Sequence, residues 1–484
     1  MKRLGTFCLC MTALVINTTS AETYSSEYWR TVAEHDVEAA YVLLSDNHPA
    51  ALAELGDTRF MSALSRAHAV ASRKSRLVED FGGYQAVLAE FANAMGDRHV
   101  RSRPSFVKAR PLWPGFIVAM RRNSWVVVDE DAGGGQSLIN ARLVSCDGTS
   151  ADALGRAILG TYRVNWQVPA QQQQAAPWLL VDEGFGAWQR PQRCVFQYRN
   201  ETRVVDLAWR PVKREDLWPR LERAIGTGQA GFGVARFEAG VWISLQDLGP
   251  RAETVLSALE AFHTSVRLAD VMVIDLRGNG GGSSAYGRRM AQLLLGRNYV
   301  MANLGSPDDA CESVWRVSDA NVATLRMYRE TFGSARGPDV AKLLDALIVQ
   351  ADEAQREGRA LTRSTHCGGG TGQVVRAGRA AMDPARILVL TDARCFSACL
   401  AMVADFRRLG AVQIGQETDA ATRYTEVRDV MMPSGLSTFS TLQAYAPAEQ
   451  MVLGPFIPTF KFDGDISDIA AVRSWVANRW GARN

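Results

Sequence analysis

Between Glu27 and Met95 the apolar positions recur at helical spacing. Tyr84, Val87, Leu88, Phe91 and Met95 lie three or four residues apart and share one face. The pattern predicts a helical region over 22–104, its last helix stopped at Gly96. From Pro104 to about Val212 the texture changes to short β-branched and aromatic runs, Phe116 to Met120 and Trp125 to Val128 among them, broken by Gly133, Gly134 and Gly135. This predicts a small, mostly β unit over 105–212. The run from Gln171 to Gln174 reads as linker. From Gly233 onward strand and helix alternate: Gly240 to Leu245, Val271 to Leu276, a helix through Ala285 to Leu295, Ile387 to Leu390, and a helix through Ala398 to Leu409. Alternation of this kind predicts an α/β core over 213–484. Inside it, roughly 303–379 reads as an insertion with a long helix near Val340 to Ala360.

Composition narrows the reading only slightly. The chain has 484 residues, and 54 basic against 51 acidic residues leave a net charge of +3. So balanced a charge argues for no nucleic-acid or anionic-membrane partner. The N-terminus is more informative. Lys2 and Arg3 precede an apolar run from Leu4 to Ile16 and the small residues Thr18, Thr19, Ser20 and Ala21. This is the layout of a secretory signal over 1–21, cleaved after Ala21, and it predicts an exported protein, periplasmic or secreted. No later apolar stretch suits a stable membrane span.

Cys8 and Cys10 would leave with the signal, so Cys146, Cys194, Cys311, Cys367, Cys395 and Cys399 remain, an even set suited to an oxidising compartment. Cys146 with Cys194 would staple the β unit and Cys311 with Cys367 the insertion. Cys395 and Cys399 flank Ser397; at helical spacing they would pair only with distortion, and small core roles are the other expectation. A zinc site built from them with His366 and Cys367 has non-standard spacing, and no metal or cofactor is expected.

Three local patterns bear on function. Asn140 to Leu154 reads as a strand, an Asp-Gly turn and a helix capped by Ser150 or Asp152, and it looks like the corresponding stretch of a PDZ domain, which binds peptide ends at a sheet edge. Val271 to Gly282 is an apolar strand ending in a glycine cluster that opens a helix, a junction that bares backbone N–H groups. Such groups cradle a phosphate or hold the oxyanion of acyl transfer. Neither phosphate-loop signature is present, so the second use is favoured. Ser397 follows a second apolar strand at the mouth of a helix, where a serine ordinarily serves as N-cap.

The order of these pieces adds a resemblance. Asp-Leu-Arg-Gly-Asn-Gly-Gly-Gly at 275–282, then a strand and a Ser-Ala helix start, then Gly415-Gln-Glu-Thr418, resembles the C-terminal-processing, or tail-specific, serine peptidase family with its tricorn relatives, across most of 230–460. The resemblance implies a ClpP/crotonase-like catalytic core with Ser397 as nucleophile, and an oxyanion hole of N–H groups from Gly280, Gly281 and Ala398. The tail-specific branch activates its serine with a lysine, yet Thr418 to Tyr424 contains none, and the Arg423 guanidinium stays protonated. The tricorn-like branch uses a histidine from the N-terminal helical region. Asp97-Arg98-His99 stands there, which makes His99 the implied general base, an imidazole that titrates near neutrality.

That branch also carries a serine beside the histidine, where this chain has Arg98, and an orienting glutamate shortly before a Gly-x-x-Pro segment. Glu449, just upstream of Met451 to Pro458, as well as Glu417 and Asp97, are the candidates for the orienting acid. The expected activity is hydrolysis of unstructured peptides or protein tails through an acyl enzyme. Two alternatives are a catalytically silent member of the same fold that binds a peptide or ligand, and a crotonase-type acyl-CoA enzyme.

Overall fold

The computed structural model describes residues 24–105, 110–132, 136–184, 189–261, 269–305, 313–332, 338–362, 378–447 and 454–481. The expected signal segment, Cys311, Cys367, His366 and Glu449 lie outside them. No helix among the described residues is long and apolar enough to cross a membrane.

The molecule is a mixed α/β fold. Its central sheet runs in the order Phe232–Phe237, Gly240–Leu245, Val271–Asp275, Ile387–Thr391, Val412–Gly415, Phe460–Lys461. The first two strands form an antiparallel hairpin and the remaining neighbours pair in parallel. Val271–Asp275 and Ile387–Thr391 are buried at every position. Their unbroken apolar runs follow from this, since a parallel sheet is covered on both faces. The helices Ala252–Ala261, Ser284–Leu295 and Ala398–Arg408 cover one face through Leu256, Met290 and Val403, and Ile469–Trp480 covers the other through Val472 and Val476.

Three N-terminal helices, α1 (Ser26–Asn47), α2 (Thr58–Ser75) and α3 (Phe81–Asn93), pack together as their periodicity predicts. The α3 face of Tyr84, Val87, Leu88 and Phe91 is buried, and the turn after the helix reaches Gly96 with φ 71°. This helical core is shared with strands from far along the chain, for Tyr424, Met432, Phe439 and Leu442 belong to it. Those residues come from the antiparallel pair Tyr424–Met431 and Ser437–Tyr445 and, for Met432, from the turn between them. A short strand, β1 (Ser102–Pro104), joins the same sheet, with Ser102 opposite Phe439. The Tyr84 hydroxyl adds a polar tie, 2.6 Å from Asp36 Oδ2 and 2.7 Å from Ser437 Oγ.

Between these parts lies a sheet of Phe116–Arg121, Ser124–Glu130, Arg142–Cys146, Arg193–Tyr198 and Glu201–Asp206. Cys146 and Cys194 sit opposite each other on neighbouring strands and are disulfide-bonded. The Asp147-Gly148 turn has both residues at positive φ, and helix α4 (Ala151–Tyr162) is capped by the Ser150 hydroxyl. The glutamine run is not linker. It forms α5 (Pro169–Ala175), with Gln171 buried. The long helix within the expected insertion spans Pro338–Arg356.

Candidate active site

The glycine turn and the serine turn leave adjacent parallel strands, Val271–Asp275 and Ile387–Thr391, so both emerge at the same sheet end. Much of the Asp-Leu-Arg-Gly-Asn-Gly-Gly-Gly motif is scaffold. Arg277, 2% exposed, forks onto Asp275 with Nε at 2.9 Å from Oδ1 and Nη2 at 2.7 Å from Oδ2. Its Nη1 donates to the Ile466 carbonyl at 2.6 Å. A buried ion pair persists only when its hydrogen bonds are satisfied in this way, and here it fixes where the glycines begin. Asn279 donates to the Leu245 carbonyl at 2.7 Å and accepts the Gly281 N–H at 2.9 Å. Phe396 N–H donates to the Asn279 carbonyl at 3.2 Å, which ties the serine turn to the glycine turn.

Asp392 reinforces this link. It is fully buried and accepts N–H groups from Gly228, Gly278 and Arg394. Burial pushes its carboxyl up to about 6 against the opposing pull of those hydrogen bonds.

Ser397 has φ 58° and ψ −126°, a conformation in which a residue with a side chain is strained by roughly 1–3 kcal/mol. Such a turn between strand and helix lifts a hydroxyl clear of the helix mouth. The Ser397 side chain makes no capping bond to the helix it precedes, so the ordinary N-cap role is not the one it fills. Gly281, with φ 103°, allows the two turns to close. A Cβ there would come within 2.8 Å of Ser397 Cβ and of the Phe396 carbonyl.

Of the three expected N–H donors, Gly281 is occupied by Asn279. Among the described residues no acceptor takes the N–H of Gly280 or of Ala398. Ala398 opens its helix, where N–H groups lack intrahelical partners.

His99 comes from the turn after α3, and its Nε2 stands 3.2 Å from Ser397 Oγ. On the other side its Nδ1 lies 2.8 Å from Asp97 Oδ1, which also accepts the His99 backbone N–H at 2.8 Å. With Nδ1–H donating to a carboxylate, the lone pair of Nε2 faces the serine. Burial favours protonation of Asp97, but the hydrogen bonds and charge of His99, with the Thr422 hydroxyl on Oδ2, hold its carboxyl below the usual range. Of the candidate acids among the described residues, Asp97 is the one bonded to His99. No hydrogen bond joins Glu417 to His99; burial raises the Glu417 carboxyl against the opposing pull of the Lys461 charge.

Several groups around this line carry no local sequence signal. Arg98, where the resembled mechanism has a serine, ion-pairs with the buried Asp419 and lies 5.2 Å over the Phe396 ring. Asp419 also receives Gln171 Nε2 at 2.7 Å and Gln174 Nε2 at 3.2 Å, so α5 is bonded to the loop behind the histidine. The Pro169 that opens α5, a common first helical residue, is the signal that marks it as helix.

Cys395 and Cys399 are joined to each other. The pair is not at helical spacing, because only Cys399 lies in the helix and the chain between the two turns at Ser397. A cleft of about 640 Å³ opens beside Asp97 and Arg98, bounded also by α3, Arg101, Trp218 and Glu183.

A hydroxyl on a strained turn, an imidazole against it, a carboxylate behind the imidazole and two unengaged N–H groups form the constellation suited to acyl transfer. The family model described as Peptidase family S41 matches residues 242–452, the stretch that holds the glycine cluster and Ser397. The match supports a serine peptidase. Over that stretch the chain is similar to peptidase family S41, in line with the ordered motifs.

Among solved structures, mature CPAF is similar at 16% identity and TM-score 0.60, over 93% of this chain and 97% of that one. Mature CPAF complexed with lactacystin is similar at 16% identity and TM-score 0.62, over 93% and 99%. At such identities the likeness is one of fold. No curated protein sequence matches the chain.

Proposed function

We propose that the protein is an exported serine endopeptidase that hydrolyses unstructured peptides or protein tails through an acyl enzyme. Ser397 Oγ attacks the substrate carbonyl carbon while its proton passes to His99 Nε2. Asp97 holds the imidazole in the tautomer that accepts that proton and stabilises the imidazolium that forms. The N–H groups of Gly280 and Ala398 receive the developing oxyanion. The imidazolium then protonates the leaving amine, and water, deprotonated in turn by His99, releases the acyl group.

The observation that carries this reading is the 3.2 Å approach of His99 Nε2 to Ser397 Oγ with Asp97 on the opposite ring nitrogen. The silent peptide-binding reading draws on the missing lysine and the unassigned orienting glutamate; the Asp97 carboxylate on His99 Nδ1 weighs against it. In this proposal the catalytic core is ClpP/crotonase-like. The 105–212 sheet is a PDZ-like unit past which the substrate threads. Export rests on the N-terminal signal pattern.

The test is labelling by a fluorophosphonate probe. Wild type is expected to be labelled on Ser397, Ser397→Ala not at all, and His99→Ala at a rate lower by at least about 10²-fold. Lactacystin, which forms a solved complex with mature CPAF, is expected to compete with the label. A folded wild type that resists the probe and cleaves no denatured protein substrate sinks the proposal.

A further inference from the structure

The disulfide between Cys395 and Cys399 closes a ring of backbone with Ser397 at its centre. Both sulfurs belong to fully buried residues in the core beneath the Ala398–Arg408 helix, packed with Leu400, Val403 and Leu276. Each end of the ring is held. Cys395 N–H donates to the Asp392 carbonyl at 3.1 Å, and the Cys395 carbonyl accepts from Asp419 N–H at 3.1 Å. Cys399 lies in the first turn of the helix, its N–H on the Phe396 carbonyl at 3.2 Å.

Two conformations compete for a serine in this place. The common one is the N-cap, with negative φ and the hydroxyl accepting an N–H from the first helical turn. The one found has φ 58° and no such bond. A strained backbone persists only when its surroundings over-determine it. Gly281 lies against Ser397 on one side, so close that an added Cβ would stand 2.8 Å from Ser397 Cβ, and on the other the bridge ties the residues two before and two after it, with their Cα atoms 5.4 Å apart, so the turn cannot relax without moving both.

Resting on the reading of Ser397 as nucleophile, we propose that Cys395–Cys399 is a positioning bridge that makes the nucleophile redox-dependent: closed, it holds the Ser397 hydroxyl against His99; opened, it releases Ser397 to the N-cap conformation. Opening is a two-electron reduction. A dithiol gives two electrons and two protons to the bridge, leaving two thiols, and itself becomes a cyclic disulfide. No bond to Ser397 forms or breaks.

The experiment compares wild type, the double variant Cys395→Ala/Cys399→Ala, and Cys146→Ala/Cys194→Ala, which removes the distant bridge of the 105–212 sheet. Each is measured for fluorophosphonate labelling rate, for kcat and KM on a denatured protein substrate, and for thermal unfolding. Loss of the Cys395–Cys399 bridge is expected to lower labelling rate and kcat about tenfold with KM unchanged, as when the competent conformer falls to about a tenth of the population. The distant pair is expected to keep its labelling rate.

In a second arm, full-length wild type is treated with dithiothreitol until alkylation and mass spectrometry show both thiols free. The same tenfold loss is expected, with recovery on reoxidation; this arm decides should the double variant not fold. Labelling that is unchanged after the bridge is lost, in whichever arm yields folded protein, overturns the inference and leaves the peptidase reading intact. Wild type that is never labelled overturns the peptidase reading instead.

Discussion

Asp97 Oδ1 accepts from both the backbone N–H and the Nδ1–H of His99, each at 2.8 Å. One oxygen thus sets where the histidine backbone goes and which ring nitrogen carries the proton. The second oxygen is left for Thr422, so the carboxylate joins the N-terminal turn to the loop that follows the strand Val412–Gly415.

Replacing that carboxylate by an amide keeps the shape but permits the wrong tautomer. Asp97→Asn is expected to lower kcat by about 10³- to 10⁴-fold with KM little altered. Steady-state kinetics checks this, and a loss below tenfold would assign the orienting task to another acid.

The glycine turn tolerates side chains unequally. Gly281→Ala forces a Cβ to within 2.8 Å of Ser397 Cβ at a φ of 103°, so it is expected to cost about 1–3 kcal/mol of stability and at least about 10²-fold in kcat. The exposed Gly280 meets nothing within 4 Å, and Gly280→Ala is expected to move stability by less than about 0.5 kcal/mol. Urea unfolding of the two variants side by side provides the comparison.

Two buried aspartates give opposite pH signatures. Asp97 titrates below its unfolded value, so the stability it contributes is present above that value and lost as pH falls through its folded pKa. The gap between wild type and Asp97→Asn should shrink on acidification. Asp392 titrates at about 6 when folded, so its contribution is fully present below the unfolded pKa, near 4, and lost as pH rises through about 6. Asp392→Asn should therefore gain on wild type between about pH 4 and 7, by up to roughly 2–3 kcal/mol. Denaturant midpoints across that range test both signs, and a flat difference for Asp392→Asn would refute its elevated titration.

Helix α5 is load-sharing rather than a tether. Gln171→Leu removes the 2.7 Å donor to the buried Asp419 carboxylate and is expected to cost roughly 1–3 kcal/mol. Thermal unfolding indistinguishable from wild type would return the glutamine run to the status of linker.

The parts of the site that rest on local pattern were legible in the chain. Val271–Asp275 and Ile387–Thr391 announce themselves as apolar runs, each followed by a turn and a helix, and their parallel pairing brings Gly281 to Ser397. His99 was reachable because the lysine of the tail-specific pattern is missing after Thr418. What escaped depends on distant contacts. Nothing near Asp97 separates it from Glu417 as the acid; the choice follows from the fold of the 97–99 turn, which sets Oδ1 under Nδ1. Thr422 and Asp419 are polar residues in a loop, with no periodicity to mark them. The hairpin of Tyr424–Met431 and Ser437–Tyr445 reads as part of the α/β region, yet its apolar face is buried against α1 to α3, and no spacing rule reports which partner a face will choose.

That hairpin bears on when the site is completed. The strand immediately after His99 is seated on Ser437–Tyr445, and Asp97 takes its second bond from Thr422. A nascent polypeptide emerging from the ribosome carries its imidazole early, whereas Ser437–Tyr445, on which the next strand is seated, is among the last parts of the 484 residues to be made. Synthesis order therefore acts as a safety catch: chains that stall or are clipped before the hairpin hold a histidine and no seat for it.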